Sequence, residues 1–174
     1  MDKTQLARKI YQTAHLTGTF TLRSGKVSNE YFDKFLFEAD PALLSDIAEL
    51  MVLSIPAGTE VLAGLEMGGL PMATALSLKT GIHAAFVRKK AKEYGTCKLA
   101  EGAAVQGRRV CIVEDVFTTG GAIADGIREL RKLGAVVETV LCVIRRGDAS
   151  AFEVEHQVTL IPAFTMEELL ASAT

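Results

Sequence analysis

The sequence predicts an α/β fold, a central mostly parallel sheet flanked by helices. Three observations carry this. Short continuous apolar runs at Val61 to Ala63, Ala84 to Val87 and Val110 to Val113, and a longer stretch dominated by Val, Leu and Ile from Val136 to Ile144, have the composition of buried parallel strands. Stretches with helical periodicity alternate with them, the order expected of a helix-covered sheet. Two strand-to-helix junctions, Gly64 to Pro71 and Glu114 to Ala122, are rich in glycine, and in an open α/β sheet such junctions deliver ligand-binding groups to one crevice.

Taken in order, Leu6, Ala7, Ile10, Tyr11 and Ala14 recur at helical spacing and predict an amphipathic helix from Lys3 to Leu16, stopped by Gly18. The segment Thr19 to Phe37 has β-prone pieces around turn-forming Ser24-Gly25-Lys26 and Ser28-Asn29; by itself it reads as an edge hairpin with a cationic tip. Asp40 before Pro41 is a helix cap, and Leu43, Leu44, Ile47, Ala48, Leu50 and Met51 carry an apolar face to about Ser54. A second helix-period stretch runs from about Pro71 to Lys79.

After Val87 the chain becomes polar and cationic as far as about Gly102, with Arg88, Lys89, Lys90, Lys92 and Lys98. Such a run is ordinarily a solvated loop. One that leaves a strand end is also placed to close over a polyphosphate. A helix from Ala122 to Leu133 ends at Gly134. Val136 to Ile144 runs into Arg145-Arg146-Gly147-Asp148, Val158 to Ile161 is a last strand broken by Pro162, and Thr165 caps a final helix from Met166.

Composition narrows the function classes. A chain of 174 residues can bury a substantial core, and a single domain spanning 1–174 is expected. A net charge of −2 gives no general reason to expect nucleic-acid or membrane binding, so any phosphate site must be local. The N-terminal MDKTQLARKIYQTAHL spreads charges through a helical pattern, unlike a signal peptide or a membrane span, and a cytoplasmic location is the default expectation. Cys97, Cys111 and Cys142 lack metal-ligand spacing, and the last two, inside apolar runs, read as core thiols.

The stretch from Arg108 to Ala122 holds the richest chemistry. An apolar strand delivers Glu114 and Asp115 at its carboxyl end, and Val116-Phe117 lead into Thr118-Thr119-Gly120-Gly121 before a helix. Backbone N–H groups at such a turn can surround an anion. A plain structural turn has the same outline, but adjacent carboxylates would repel phosphate unless they serve ribose hydroxyls, a cation or a developing positive charge. The stretch lacks both the Gly-Lys-Ser/Thr of a P-loop and the GxGxxG of a dinucleotide site.

This pattern resembles the phosphoribosyl pyrophosphate (PRPP) motif of type I phosphoribosyltransferases. Three further blocks make the chain similar to the orotate phosphoribosyltransferase family over nearly its whole length: Thr21 to Gly25 with Ser28 and Tyr31-Phe32-Asp33, the junction Gly64 to Pro71, and Arg88-Lys89 with Lys92 and Gly95. The resemblance implies transfer of a phosphoribosyl group from PRPP to orotate, yielding orotidine 5′-monophosphate and pyrophosphate for UMP synthesis. It also implies the type I fold, with a small hood over the base formed by residues 1–40 and the C-terminal end.

Roles carried over from the family are these. Lys92, Glu114 and Asp115 would be catalytic. PRPP would be held by Arg23, Arg88, Lys89 and Lys92, by Glu114 and Asp115, and by Val116, Phe117, Thr118, Thr119, Gly120, Gly121 and Ala122. Orotate would meet Arg146, Tyr31, Phe32 and Thr118. Mg²⁺ would be held mainly by PRPP itself, Asp115 being the one side chain considered as a further ligand. A homodimer is expected, its 88–102 loop reaching the partner's site. A phosphoribosyltransferase for another base and a PRPP-sensing regulator are the alternatives. The chain departs from the family at Gly68, where a lysine is frequent, at Tyr94, where histidine is common, and at Arg145, where aspartate is common.

Overall fold

The computed structural model describes residues 1–21, 25–93, 95 and 98–173. It begins with helix α1 (Lys3–Ala14), capped by Asp2, whose carboxylate accepts from the Gln5 N–H. The expected continuation of this helix to Leu16 is not seen. Strand β1 (His15–Thr21) begins directly after Ala14 and pairs antiparallel with β2 (Val27–Phe32), forming the anticipated hairpin.

The remainder of the front segment then turns helical. Asp33 caps α2 (Lys34–Ala39) by accepting from the Phe35 N–H, a helix absent from the sequence expectation, which treated this stretch as β-prone. Asp40 caps α3 (Pro41–Val52) through the Ala42 and Leu43 N–H groups, with proline at the first turn as expected.

The main sheet is built from β3 (Val61–Leu65), β4 (His83–Val87), β5 (Ala100–Gly102), β6 (Arg109–Phe117), β7 (Val136–Arg145) and β8 (Thr159–Thr165), in the order β5-β4-β3-β6-β7-β8. All neighbours are parallel except β5 on β4. Helix α4 (Gly69–Thr80) connects β3 to β4, α5 (Gly121–Lys132) connects β6 to β7, and α6 (Ser150–His156) precedes β8. Helix α7 (Met166–Ser172) closes the described chain, with Thr165 and Glu168 in a capping box.

Strand alternation divides the core into two layers. Leu62, Cys111, Val113, Leu141 and Val143 pack with α1, α3 and α4, whereas Val61, Ala63, Val110, Ile112, Val140 and Cys142 pack with α5 and α6. Cys111 and Cys142 are the anticipated core thiols, and burial pushes both up to about 12. Cys97 lies outside the described residues.

Two other boundaries differ from expectation. Pro162 does not end the last strand: it sits inside β8, opposite Cys142. Since β8 is an edge strand, its outward side has no partner strand, so proline's missing N–H is tolerated there. The polar run after Val87 is also partly ordered, because β5 folds back antiparallel onto β4.

Strand order reverses between β3 and β6. Their connections, through α4 and α5, lie on opposite faces, which leaves a crevice beyond the strand carboxyl ends. Among the described residues, no helix is long and apolar enough to cross a membrane.

Candidate active site

That crevice contains a cavity of about 670 Å³. Its walls come from Glu66 after β3, Arg88, Lys89 and Lys90 after β4, Glu114 and Val116 of β6, and the turn Thr118 to Ala122. Gly120 turns the chain with φ +77°, and a Cβ there would fall 2.5 Å from the Phe152 ring. Both backbone and space therefore require glycine. Helix α5 has no side-chain cap, so its first N–H groups remain for an anion at the turn.

Facing this turn, Arg88 and Lys89 bring positive charge to the cavity. The Lys89 backbone N–H donates to Glu66 Oε1 at 2.6 Å, tying the start of the cationic run to the junction after β3. Lys92 is directed elsewhere. Its ammonium pairs with Glu101 on β5, and it does not line the cavity.

The paired acids extend the strand rather than follow it, since β6 continues to Phe117. They also have different surroundings. Glu114 lines the cavity, and its Oε1 accepts from the Asp115 N–H at 2.9 Å. Burial, followed by a hydrogen bond shared with Asp115, holds the Glu114 carboxyl well above the usual carboxylate range.

Asp115 is only 1% exposed. Its Oδ1 accepts from the Val116 N–H at 2.5 Å, while Oδ2 lies 2.5 Å from Lys34 Nζ of α2. Glu38, one turn further along α2, is buried too, and neither carboxylate oxygen has a hydrogen-bond partner. Burial and then the nearby charge of Asp115 push its carboxyl up to about 8.

The residues expected to meet the base are divided between two places. Arg146, Tyr31 and Phe32 line a separate hollow of about 370 Å³, whereas Thr118 lines the larger cavity. Arg146 sits 5.3 Å over the Phe32 ring, with its Nε buried and without a hydrogen-bond partner. The Arg146 N–H donates to the Phe117 carbonyl at 2.9 Å, so one backbone bond connects the hollow to the strand leading into the turn.

Arg23 lies outside the described residues, as does Tyr94. Lys34, Glu38 and Glu66 were not singled out from sequence, and Lys90 only as a member of the cationic run. Lys34 and Glu38 are spaced like an exposed helical ion pair, and nothing local distinguishes them from one.

The comparisons agree with this architecture. Residues 37–164 match the phosphoribosyl transferase domain family. An orotate phosphoribosyltransferase from a Nocardioides species is 54% identical over 172 residues, covering 96% of this chain and 94% of that one. The chain belongs to the orotate phosphoribosyltransferase family. Among solved structures, the Mycobacterium tuberculosis orotate phosphoribosyltransferase with Fe(III) dicitrate superposes with a TM-score of 0.85 at 32% identity, covering 97% of this chain and 99% of that one. The same enzyme in complex with PRPP superposes at 0.82 with 29% identity and the same coverage.

Membership in this family puts the departures in physical terms. At Gly68 a Cβ would lie 1.5 Å from Asp115 Oδ2, so no side chain fits at this position of the junction after β3. The cation on that carboxylate comes from Lys34 instead. Arg145 is the last residue of β7, opposite Thr165, and its Nε is buried without a hydrogen-bond partner.

Proposed function

We propose that this chain transfers the phosphoribosyl group of PRPP to orotate, producing orotidine 5′-monophosphate and pyrophosphate in de novo UMP synthesis. The observation that carries this reading is the convergence of Glu114, the Thr118 to Ala122 turn and the Arg88-Lys89 pair on one cavity. The PRPP complex of the mycobacterial relative supports the choice of donor.

In this reading, N–H groups of the Thr118 to Ala122 turn and the Thr118 and Thr119 hydroxyls hold the 5′-phosphate, the Val116 N–H being taken by Asp115. Arg88 and Lys89 neutralise the pyrophosphate, and Lys92 joins them once it leaves Glu101. As the bond to pyrophosphate lengthens, positive charge grows on the ribose ring, and Glu114 stands where an ionised carboxylate stabilises it. Asp115 acts from behind, holding Val116 and the entry to the turn. Arg146 offers its guanidinium fork to the orotate carboxylate between Tyr31 and Phe32.

Mg²⁺ fits this donor set as an ion carried mainly by the substrate. Among the described residues no three His, Cys, Asp or Glu side chains gather around a common point, and Asp115 accepts from the Val116 N–H at Oδ1 and is ion-paired with Lys34 at Oδ2. Bound through PRPP oxygens, it would add charge neutralisation at the leaving group.

We further propose a single domain over residues 1–174, with residues 1–40 and the C-terminal end as the hood. A cytoplasmic homodimer, its 88–102 loop reaching the partner's site, completes the reading. The exposed Met67 and Leu78, beside Leu44 and Leu70, support an apolar contact between copies. Light scattering is expected to return twice the chain mass.

The deciding experiment mixes purified protein with PRPP and Mg²⁺, offers orotate, uracil, adenine and hypoxanthine in turn, and assays pyrophosphate release. Turnover is expected with orotate. Turnover only with a purine overturns the choice of base, and PRPP binding without turnover of any base points to a sensor.

A further inference from the structure

We propose that Lys34 is a positioning residue of the transfer site: from α2 it clamps Asp115, and Glu38 on the same helix face competes for that clamp. The inference rests on the reading of the large cavity as the PRPP site.

Geometry makes Lys34 the counter-charge. Asp115 is almost wholly buried, and a buried carboxylate needs a cation or hydrogen bonds in place of water. The Val116 N–H serves one oxygen and Lys34 Nζ the other. Position 68 of the junction after β3 cannot supply a cation, because Gly68 lies too close to Asp115 Oδ2 to carry a Cβ. Lys34 also reaches this point from the segment that carries Phe32, whose ring faces Arg146. One ion pair therefore joins the base side of the molecule to the strand of the PRPP turn. Its effect reaches the cavity through Val116, which is both the hydrogen-bond donor to Asp115 and part of the cavity wall.

Glu38 is the unexplained member of the group. Both of its oxygens are buried and unpartnered, although the carboxyl lies close enough to feel Lys34 and Asp115. The charged groups around it are Lys34 and Asp33 at α2 and Asp115 on β6, with Glu114 beyond Asp115. While Glu38 stays protonated, Lys34 serves Asp115 alone. Once it ionises, two buried carboxylates share one ammonium, the hold on Asp115 loosens, and Val116 is no longer fixed.

The test measures PRPP binding with Mg²⁺ and no base, by calorimetry from about pH 6 to about pH 9, a range spanning the ionisation of a raised carboxyl. Wild type, Lys34→Met, Lys34→Arg, Glu38→Gln and the Lys34→Met/Glu38→Gln double variant are compared. Lys34→Met is expected to weaken PRPP binding about tenfold, and Lys34→Arg to restore most of that loss. At the alkaline end wild type is expected to bind PRPP more weakly than Glu38→Gln, a difference read over the titration of Glu114 that both proteins share. In the Lys34→Met background, Glu38→Gln should change nothing, the non-additivity expected of side chains acting through one contact.

Wild-type affinity and pH profile in Lys34→Met overturn the proposal. So does an equal effect of Glu38→Gln in both backgrounds. Circular dichroism melts accompany each variant, and a lower melting temperature in Lys34→Met with no rescue of affinity by Lys34→Arg reduces Lys34 to a structural residue and also overturns it. If wild type binds PRPP but does not turn over orotate, the proposed function falls while the same comparison still decides the clamp.

Discussion

Gly68 and Asp115 are in such close contact that a Cβ on the glycine would fall 1.5 Å from the carboxylate Oδ2. Asp115 cannot swing aside, because its other oxygen is bonded to the Val116 N–H and Oδ2 itself is paired with Lys34. The junction after β3 and the end of β6 are thus held against one another. Gly68→Ala is expected to cost about 1–3 kcal/mol of stability, as overpacking of a filled site does, and to weaken PRPP binding. Denaturant unfolding checks the first expectation and calorimetry the second; an unchanged unfolding midpoint would show that the carboxylate has room to move.

Burial and the shared bond to Asp115 raise the Glu114 carboxyl well above the usual carboxylate range. Its folded-state pKa is raised, so the free protein binds this proton more tightly than an exposed carboxyl would. Positive charge next to it, such as Mg²⁺ on PRPP, favours the ionised form and lowers the pKa again. Binding of PRPP with Mg²⁺ near pH ~7 should therefore release a proton. Calorimetry in buffers of differing ionisation enthalpy reads that release as a slope, which Glu114→Gln should abolish. A zero slope in the wild type would mean that Glu114 is already ionised or stays protonated.

Lys92 rests against Glu101 rather than the cavity. If the cationic run closes over pyrophosphate during transfer, the charge of Lys92 is needed in the transition state and not for the resting fold. Lys92→Ala is expected to lower kcat by roughly 100-fold, the loss typical when one positioned donor to a developing charge is removed, with no change in melting temperature. Full turnover in Lys92→Ala would exclude a catalytic role.

Arg146 lies over Phe32 with a buried, unpartnered Nε. A planar carboxylate can take two parallel bonds from a guanidinium, but lysine offers one compact charge. Arg146→Lys is expected to raise KM for orotate about tenfold or more while leaving PRPP affinity near that of the wild type. Equal losses for both substrates would mean that Arg146 acts on the shared strand rather than on the base.

Much of this protein was determined by sequence alone. Continuous apolar runs can be buried only in a sheet covered on both faces, so the α/β class follows from local composition. The phosphate turn is equally local, because Gly120 and its neighbours encode their own backbone geometry. The four blocks also sufficed to recognise the family, confirmed by the 54% identical relative. Boundaries were less legible where tertiary position overrides local preference: Pro162 survives inside β8 only because that strand is an edge, and α2 forms in a stretch of β-prone residues.

What only the tertiary structure decided is which charges meet. Lys34 and Glu38 look like an ordinary helical pair, Lys92 like a member of a cationic run, and Glu114 and Asp115 like equivalent neighbours. Folding separates Glu114 from Asp115, turns Lys92 to Glu101, and sets Lys34 on a carboxylate far away in sequence. The physical reason is that the worth of a charge depends on its burial and its partner, and both are set by the order in which strands assemble. The junction at Gly68 shows this most directly: its missing side chain reads in sequence as a lost contact, and in the structure as the space that Asp115 occupies.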